Sequence, residues 1–166
     1  VQGGCVEHEV DVVLEKDHVK TYVEAKFHNS AGFKTDLKTV LYVAARIDDI
    51  QKMFPNEQIR GLVVTNTKFT EKAIQYATCK GLELLAWEYP EKTNLHDRID
   101  AAKLYPVTAL TSLSKKQKTA LLDQKKVLCN DLSHDTEALS RVGLRGQKAQ
   151  KVLEEVGALC VPGNDI

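Results

Sequence analysis

Apolar positions change their period several times along this 166-residue chain, and each change marks an element. Residues 9–14 (EVDVVL) and 19–27 (VKTYVEAKF) are rich in β-branched and aromatic residues, with polar EKDH between them, which is a hairpin signature. In the second run Val19, Thr21, Val23, Ala25 and Phe27 share one face. Lys20, Tyr22, Glu24 and Lys26 share the other, because strand side chains alternate. After polar HNSAGFK the period becomes helical. Asp36 stands as N-cap, Leu37, Val40, Leu41, Ala44, Ile47 and Ile50 follow to about Met53, and Pro55 lies just beyond. Residues 60–65 (RGLVVT) run apolar without alternation, as a buried strand does. Thr70 caps a helix to about Lys80, with Phe69 and Ile74 as a hydrophobic staple and Gly81 as its stop. A strand over 82–87 ends at Tyr89-Pro90.

A hairpin feeding alternating helices and strands predicts an α/β fold, a mixed sheet with flanking helices. A helix over 94–104 leads to Pro106. From there only helical segments are read: Leu110 and Leu113, then Ser114 as a cap, Ala120 to Leu122, a short extended VLC, Asp131-Leu132, a helix capped at Ser133, and a last helix through Val152, Leu153 and Val156. Such short helices hold only by packing together. The expected domains are 1–90, a helical linker 91–106, and a small all-α domain over 107–166. The chain opens almost directly on a strand pattern, so a first covering helix is expected to be missing and the chain to be a fragment of something longer.

Composition changes this picture little. At 43% hydrophobic and 28% charged residues the chain is that of a globular protein. The opening residues VQGGCVEHEVD show neither the basic start nor the apolar core of a secretory signal, and no apolar run approaches the ~20 residues of a membrane helix. Net charge is zero, so any nucleic-acid binding must come from local patches. Cys5, Cys79, Cys129 and Cys160 form no CxxC pair, which suggests neither a zinc site nor a disulfide framework. Lone cysteines of this kind suit a reducing, cytoplasmic location.

Candidate chemistry lies on the hairpin. If Asp17-His18 makes its turn, Asp11 faces Glu24 and shares a face with Lys26. Adjacent carboxylates repel unless a cation neutralises them. All-oxygen ligands select a hard ion, so Mg²⁺ is expected, with Mn²⁺ as substitute. Such an ion clamps a phosphate and acidifies bound water, while a lysine orients the nucleophile. Taken alone, D…ExK also describes any solvent-facing strand. Glu9 points the same way as Asp11, as a further ligand or as an edge glutamate. His8-Glu9 begins a zincin motif that no histidine completes. His28 and Lys34 either touch phosphate or belong to a solvated loop. Tyr42 and Arg46, one helical turn apart, read as a packed tyrosine with a surface arginine.

The segments HEVDVVLEKD…TYVEAKF, then a helix, GLVVTNTKFTEKAIQYA and GLELLAW resemble Mrr-type restriction endonucleases of the PD-(D/E)xK superfamily, over roughly residues 5–89. That family places an aspartate at the end of the first strand and (E/Q)xK on the next. It continues with V-T-x-x-x-F-T/S-x-x-A and a closing strand of the GIEL kind. Here these are Asp11; Glu24 and Lys26; Val64, Thr65, Phe69, Thr70 and Ala73; and Gly81 to Leu84. The chain departs from many members in having Glu at position 24 rather than Gln, and in lacking the usual preceding helix. The resemblance implies a metal-dependent DNA endonuclease with Asp11, Glu24 and Lys26 as catalytic residues and Asp11 and Glu24 on the metal. Thr65 then either supports the site or merely ends its strand. A catalytically inactive DNA-binding or regulatory module with the same fold is the alternative, and a nuclease for RNA or branched structures is a second.

Residues 110–160, from LSKKQKTALLDQKKVLCNDL through TEALSRVGLRGQKAQKVLEEV, resemble tandem helix-hairpin-helix domains, including the C-terminal domain of the bacterial RNA polymerase alpha subunit. There a Gly-rich hairpin offers backbone N–H groups to a phosphate. Gly143 and Leu144 match that hairpin, and Lys148 and Lys151 add charge. Arg145 stands where a second glycine is expected. The partners implied are DNA, a second copy of the chain as a homodimer, and no membrane. Some relatives carry an N-terminal nucleotide-binding ATP-cone, so a nucleotide-binding domain absent from this chain is a further expectation. The boundary near 91–107 is testable by limited proteolysis: cuts there should outpace any inside 9–87, and uniform resistance would remove the predicted linker.

Overall fold

The computed structural model describes residues 1–30 and 32–160. It forms two compact units, one of residues 1–97 and one from Arg98 onward. The first is a mixed four-stranded sheet with helices, and the second is all-α.

In the first unit, β1 (Val12–Lys16) and β2 (Val19–Lys26) form the antiparallel hairpin. Only Asp17 and His18 make the turn, and both have positive φ, 52° and 63°. Two left-handed residues give the backbone twist that matches paired strands. The first strand therefore lies later than the expected 9–14. The polar pair Glu15-Lys16, read as loop, is paired with Lys20 and Val19.

Helix α1 (Leu37–Met53) starts where Asp36 accepts from the Thr39 amide at 3.2 Å. It leads to β4 (Gln58–Thr65), parallel to β2, and α2 (Glu71–Lys80) leads to β6 (Glu83–Leu85), parallel to β4. Thr70 caps α2 through the Ala73 amide, and left-handed Gly81 ends it. Strand order is β1-β2-β4-β6. Val40, Val43 and Ala44 of α1, Ala73 and Ala77 of α2, and Val63 and Leu84 of the sheet share one core, so both helices cover one face. Two further strands were not foreseen, β3 (Lys34–Thr35) and β5 (Lys68–Phe69). They form a short parallel ladder tying the loop after β2 to the loop after β4. Helix α3 (Leu95–Ala102) follows β6.

The second unit packs a 3₁₀ turn (Val107–Ala109), α4 (Lys115–Asp123), α5 (Cys129–His134), α6 (Glu137–Arg141) and α7 (Gln147–Cys160). Leu110, Leu121, Leu132, Leu139, Val152 and Val156 fill its core. Ser114 and Gln117 make a reciprocal capping box for α4. The helix expected to begin at Ser133 instead begins at Cys129. Asp131 accepts from the Val127 and Leu128 amides at 3.0 and 2.9 Å, which satisfies that N-terminus four residues early. Cys129 is buried, and burial pushes its thiol up to about 12, so it acts as a small apolar residue.

Glu155 of α7 holds the turn before α4. Its carboxylate accepts from the amides of Thr111 and Ser112 at 2.6 and 2.9 Å and from both hydroxyls. Desolvation opposes its charge, yet these donors, Ser112 first, hold its pKa down to about 2. A depressed folded pKa stabilises above the ordinary carboxylate range and loses that contribution as pH falls toward the folded value. Glu155→Ala should cost about 1–3 kcal/mol at neutral pH. Its deficit relative to wild type should shrink between about pH 5 and 2, as read by melting of both proteins over pH. A constant deficit would remove Glu155 as the cause.

Candidate functional site

The hairpin register decides what meets what. Val12 pairs with Val23, so one step further Asp11 stands opposite Glu24. The β1 pairing stops there, and the Asp11 carboxylate takes over by accepting the Ala25 amide at 2.7 Å. Parallel pairing places Glu24 beside Val63 and Lys26 beside Thr65. Glu24 thus lies on the face that α1 covers. It was expected on a half-covered sheet, yet it is only 5% exposed.

A buried carboxylate requires cations, and Glu24 has two. One oxygen contacts Lys26 Nζ, and the other accepts from Arg46 of α1 at 2.5 Å. Lys26 keeps 41% of its side chain exposed and reaches solvent from the pair. Arg46 is 6% exposed, and its Nε has no hydrogen-bond partner. The ring of Tyr42 stacks on its guanidinium at 4.7 Å while remaining 57% exposed. The expected packed tyrosine and surface arginine are therefore reversed. Helical spacing explains why: Arg46 falls three residues after Val43 on the buried stripe, and only its ion pair with Glu24 makes that position tolerable.

A second charge on that stripe, Asp49, anchors the N-terminal segment. It accepts the amides of Cys5 and Val6 and meets His8 Nε2 at 2.9 Å. These partners, the Cys5 side chain first and then His8, hold its pKa below the usual carboxylate range. Gly3 belongs to the same arrangement, since a Cβ there would lie 2.3 Å from the Asp49 carboxylate.

The remaining candidates are placed as follows. Glu9 is exposed. Thr65 is buried, and its hydroxyl meets Thr67 rather than a carboxylate. His28 is tied down rather than loose: Asn66 bonds both its amide and its carbonyl at 2.8 Å, its ring nitrogen meets Thr35, and Phe33 stacks on it at 4.9 Å. Lys34 is exposed on β3. Within the second unit, Gly143 and Gly146 both have positive φ and open space where a Cβ would lie. The second left-handed position is therefore Gly146, one residue after Arg145. Gly143, Lys148 and Lys151 are exposed.

Among the described residues no group of three or more His, Cys, Asp or Glu side chains could hold a metal ion. Asp11 and Glu24 offer two hard oxygen ligands. That set fits Mg²⁺, which keeps several waters and takes further ligands from a substrate phosphate. It does not fit a fully protein-caged ion.

A restriction endonuclease family model matches residues 2–88. This chain belongs to the restriction endonuclease family of Mrr type. A second family model, AF1548-like, C-terminal, matches residues 105–160. An uncharacterized protein of Archaeoglobus fulgidus is 39% identical over 156 residues, 93% of this chain and 87% of that protein. A solved structure, described as AF1548, a protein of unknown function, is 38% identical with a TM-score of 0.73. That match covers 96% of this chain and 85% of the other. No helix among the described residues is long and apolar enough to cross a membrane.

The geometry makes the two family carboxylates unequal in stability. Glu24→Ala strands the buried Arg46 charge and should cost about 3–5 kcal/mol. Asp11→Ala loses one exposed hydrogen bond and should cost about 1 kcal/mol. Chemical denaturation of both variants measures this, and equal costs would refute the buried pair.

Proposed function

We propose that the protein is a metal-dependent endonuclease that hydrolyses DNA phosphodiester bonds. The observation that supports it most is the placement of Asp11 opposite Glu24, with Lys26 in contact with Glu24, at one end of the hairpin, on residues matching the family motif. An idle domain could fill this place with apolar side chains at no loss of stability.

In this reading Asp11 and Glu24 hold Mg²⁺, or Mn²⁺ in its place. When bound, the ion offsets phosphate charge and acidifies a coordinated water. Lys26, half exposed beside Glu24, orients the attacking water or the scissile phosphate. The water oxygen bonds to phosphorus, one P–O ester bond breaks, and the departing oxygen takes up a proton. Glu9 and Thr65 give support from the strand ends, the latter through Thr67. His28 and Lys34, on the segment held by Asn66 and the β3–β5 ladder, provide phosphate contacts. In the helical unit, the turn with Gly143 and Gly146 presents amides at the start of α7, with Lys148 and Lys151 beside it, as a helix-hairpin-helix does. DNA is the partner, and a homodimer and a further nucleotide-binding domain belong to the same reading. The protein would act in the cytoplasm.

One observation favours a narrower substrate. Phe27 and Phe33 are both exposed beside the segment that follows Lys26. Exposed aromatic rings stack on unpaired bases, so branched or single-stranded substrates are a second reading.

Lys26→Ala separates the enzyme from an inactive binding module. A positioned group of this kind is worth ~10²–10⁴ in rate, so nicking of supercoiled plasmid should fall by that factor. Arg46 still neutralises Glu24, and the stability change should stay within about 1 kcal/mol. Arginine at position 26 should not restore activity, because its broad fork does not reproduce a compact ammonium. Equal nicking by wild type and variant would place the activity elsewhere. A wild type that binds DNA but never nicks it with Mg²⁺ or Mn²⁺ would establish the binding module.

A further inference from the structure

We propose that Arg46 is the resting counter-ion of Glu24 and makes metal loading at the Asp11–Glu24 pair depend on a bound phosphate. This rests on the reading of those carboxylates as metal ligands and assigns a control to that site.

The argument is one of charge. Asp11 and Glu24 carry two negative charges, and Lys26 and Arg46 carry two positive ones. The cluster is neutral before any ion enters. A dication placed against Glu24 then meets two fixed cations, one of them buried where water screens poorly. Arginine cannot lose its proton to relieve this. Glu24 holds it on one side, at 2.5 Å, and the Tyr42 ring covers its face at 4.7 Å, so it is also constrained against moving away. What remains is an anion, and a phosphodiester supplies one negative charge. Arg46 has an unused donor for further neutralisation, the buried Nε without a partner. Buried donors are nearly always satisfied, so the Arg46 charge is less fully met than its burial demands. Arg46 is thus a positioning residue. It acts on the metal through Glu24, and its burial makes direct reading of DNA bases implausible.

A merely structural arginine makes the opposite prediction. If Arg46 only orients Glu24, removing it should weaken metal binding.

The test is calorimetric titration of Mn²⁺ into wild type, Arg46→Gln and Arg46→Lys. Each is measured alone and with a phosphorothioate duplex, which keeps the backbone charge and slows hydrolysis. Without DNA, Arg46→Gln should bind Mn²⁺ about tenfold more tightly than wild type, and Arg46→Lys, which keeps the charge, should resemble wild type. DNA should tighten Mn²⁺ binding in wild type, and that gain should largely vanish in Arg46→Gln. Unchanged or weaker Mn²⁺ binding by a folded Arg46→Gln protein overturns the proposal while leaving the metal site standing. Absence of Mn²⁺ binding by wild type, with or without DNA, overturns the metal site itself. Should Arg46→Gln not fold, Tyr42→Leu carries the test, because the ring is exposed. Loosening the stack should raise Mn²⁺ affinity about threefold, and no change overturns the proposal.

Discussion

A carboxylate buried on a central strand is the constraint around which the first unit is built. A carboxylate taken out of water loses its hydration, and such a charge is tolerated only where cations meet it. The fold provides them from two directions, Lys26 two residues along the same strand and Arg46 from the covering helix. The second contact fixes the height and rotation of α1 against β2 more narrowly than apolar packing alone, since Val40, Val43 and Ala44 tolerate small shifts and an ion pair does not. Asp49, three residues further on, repeats the device with opposite sign and fastens residues 3–8 to the same helix. One face of α1 therefore carries an apolar core and two charge locks.

This explains what was legible in the sequence. The hairpin, α1, β4 and α2 show their period and their caps openly, because Asp36, Thr70 and Gly81 do local chemistry that needs no tertiary partner. Register was legible through the turn: once Asp17 and His18 form it, Asp11 and Glu24 must meet. Burial of charge was not. Arg46 and Asp49 sit on the helical stripe of Val43 and Ile50, and a charge there is the signal. Its meaning depends on a partner 22 residues away for Arg46 and 44 for the Cys5 contact. The β3–β5 ladder escaped for a different reason, since two-residue strands have no period to detect. In the helical unit α5 starts ahead of the expected Ser133 cap because Asp131 bonds the Val127–Leu128 backbone, a contact with no periodic signal.

The helical unit is stabilised by other means. Its core is aliphatic, and polar side chains act at its joints: Gln117 at Ser114, Asp131 at the start of α5, and Glu155 across to Thr111 and Ser112. In the Gly143–Gly146 turn Leu144 is buried in that core, while both glycines have open space beside them. Left-handed glycines are required there by backbone conformation alone. The amides of Gly143 and Leu144 are used within the unit, by Ser140 and Leu139.

Membership of a nuclease family settles the fold, and a fold does not settle an activity. The site carries its own argument, because its arrangement costs stability. A buried Glu–Arg pair is typically worth no more than apolar residues of equal volume, and often less. Leaving Arg46 Nε without an acceptor adds a further cost of about 1–3 kcal/mol. Stability alone gives no return for either expense. A return does exist if the cluster has to accept a dication and a phosphate together, since neutrality beforehand keeps the fold stable without them. On the proposed reading the same neutrality discourages a metal from binding before DNA, and the carboxylates become ligands only when a phosphate is present.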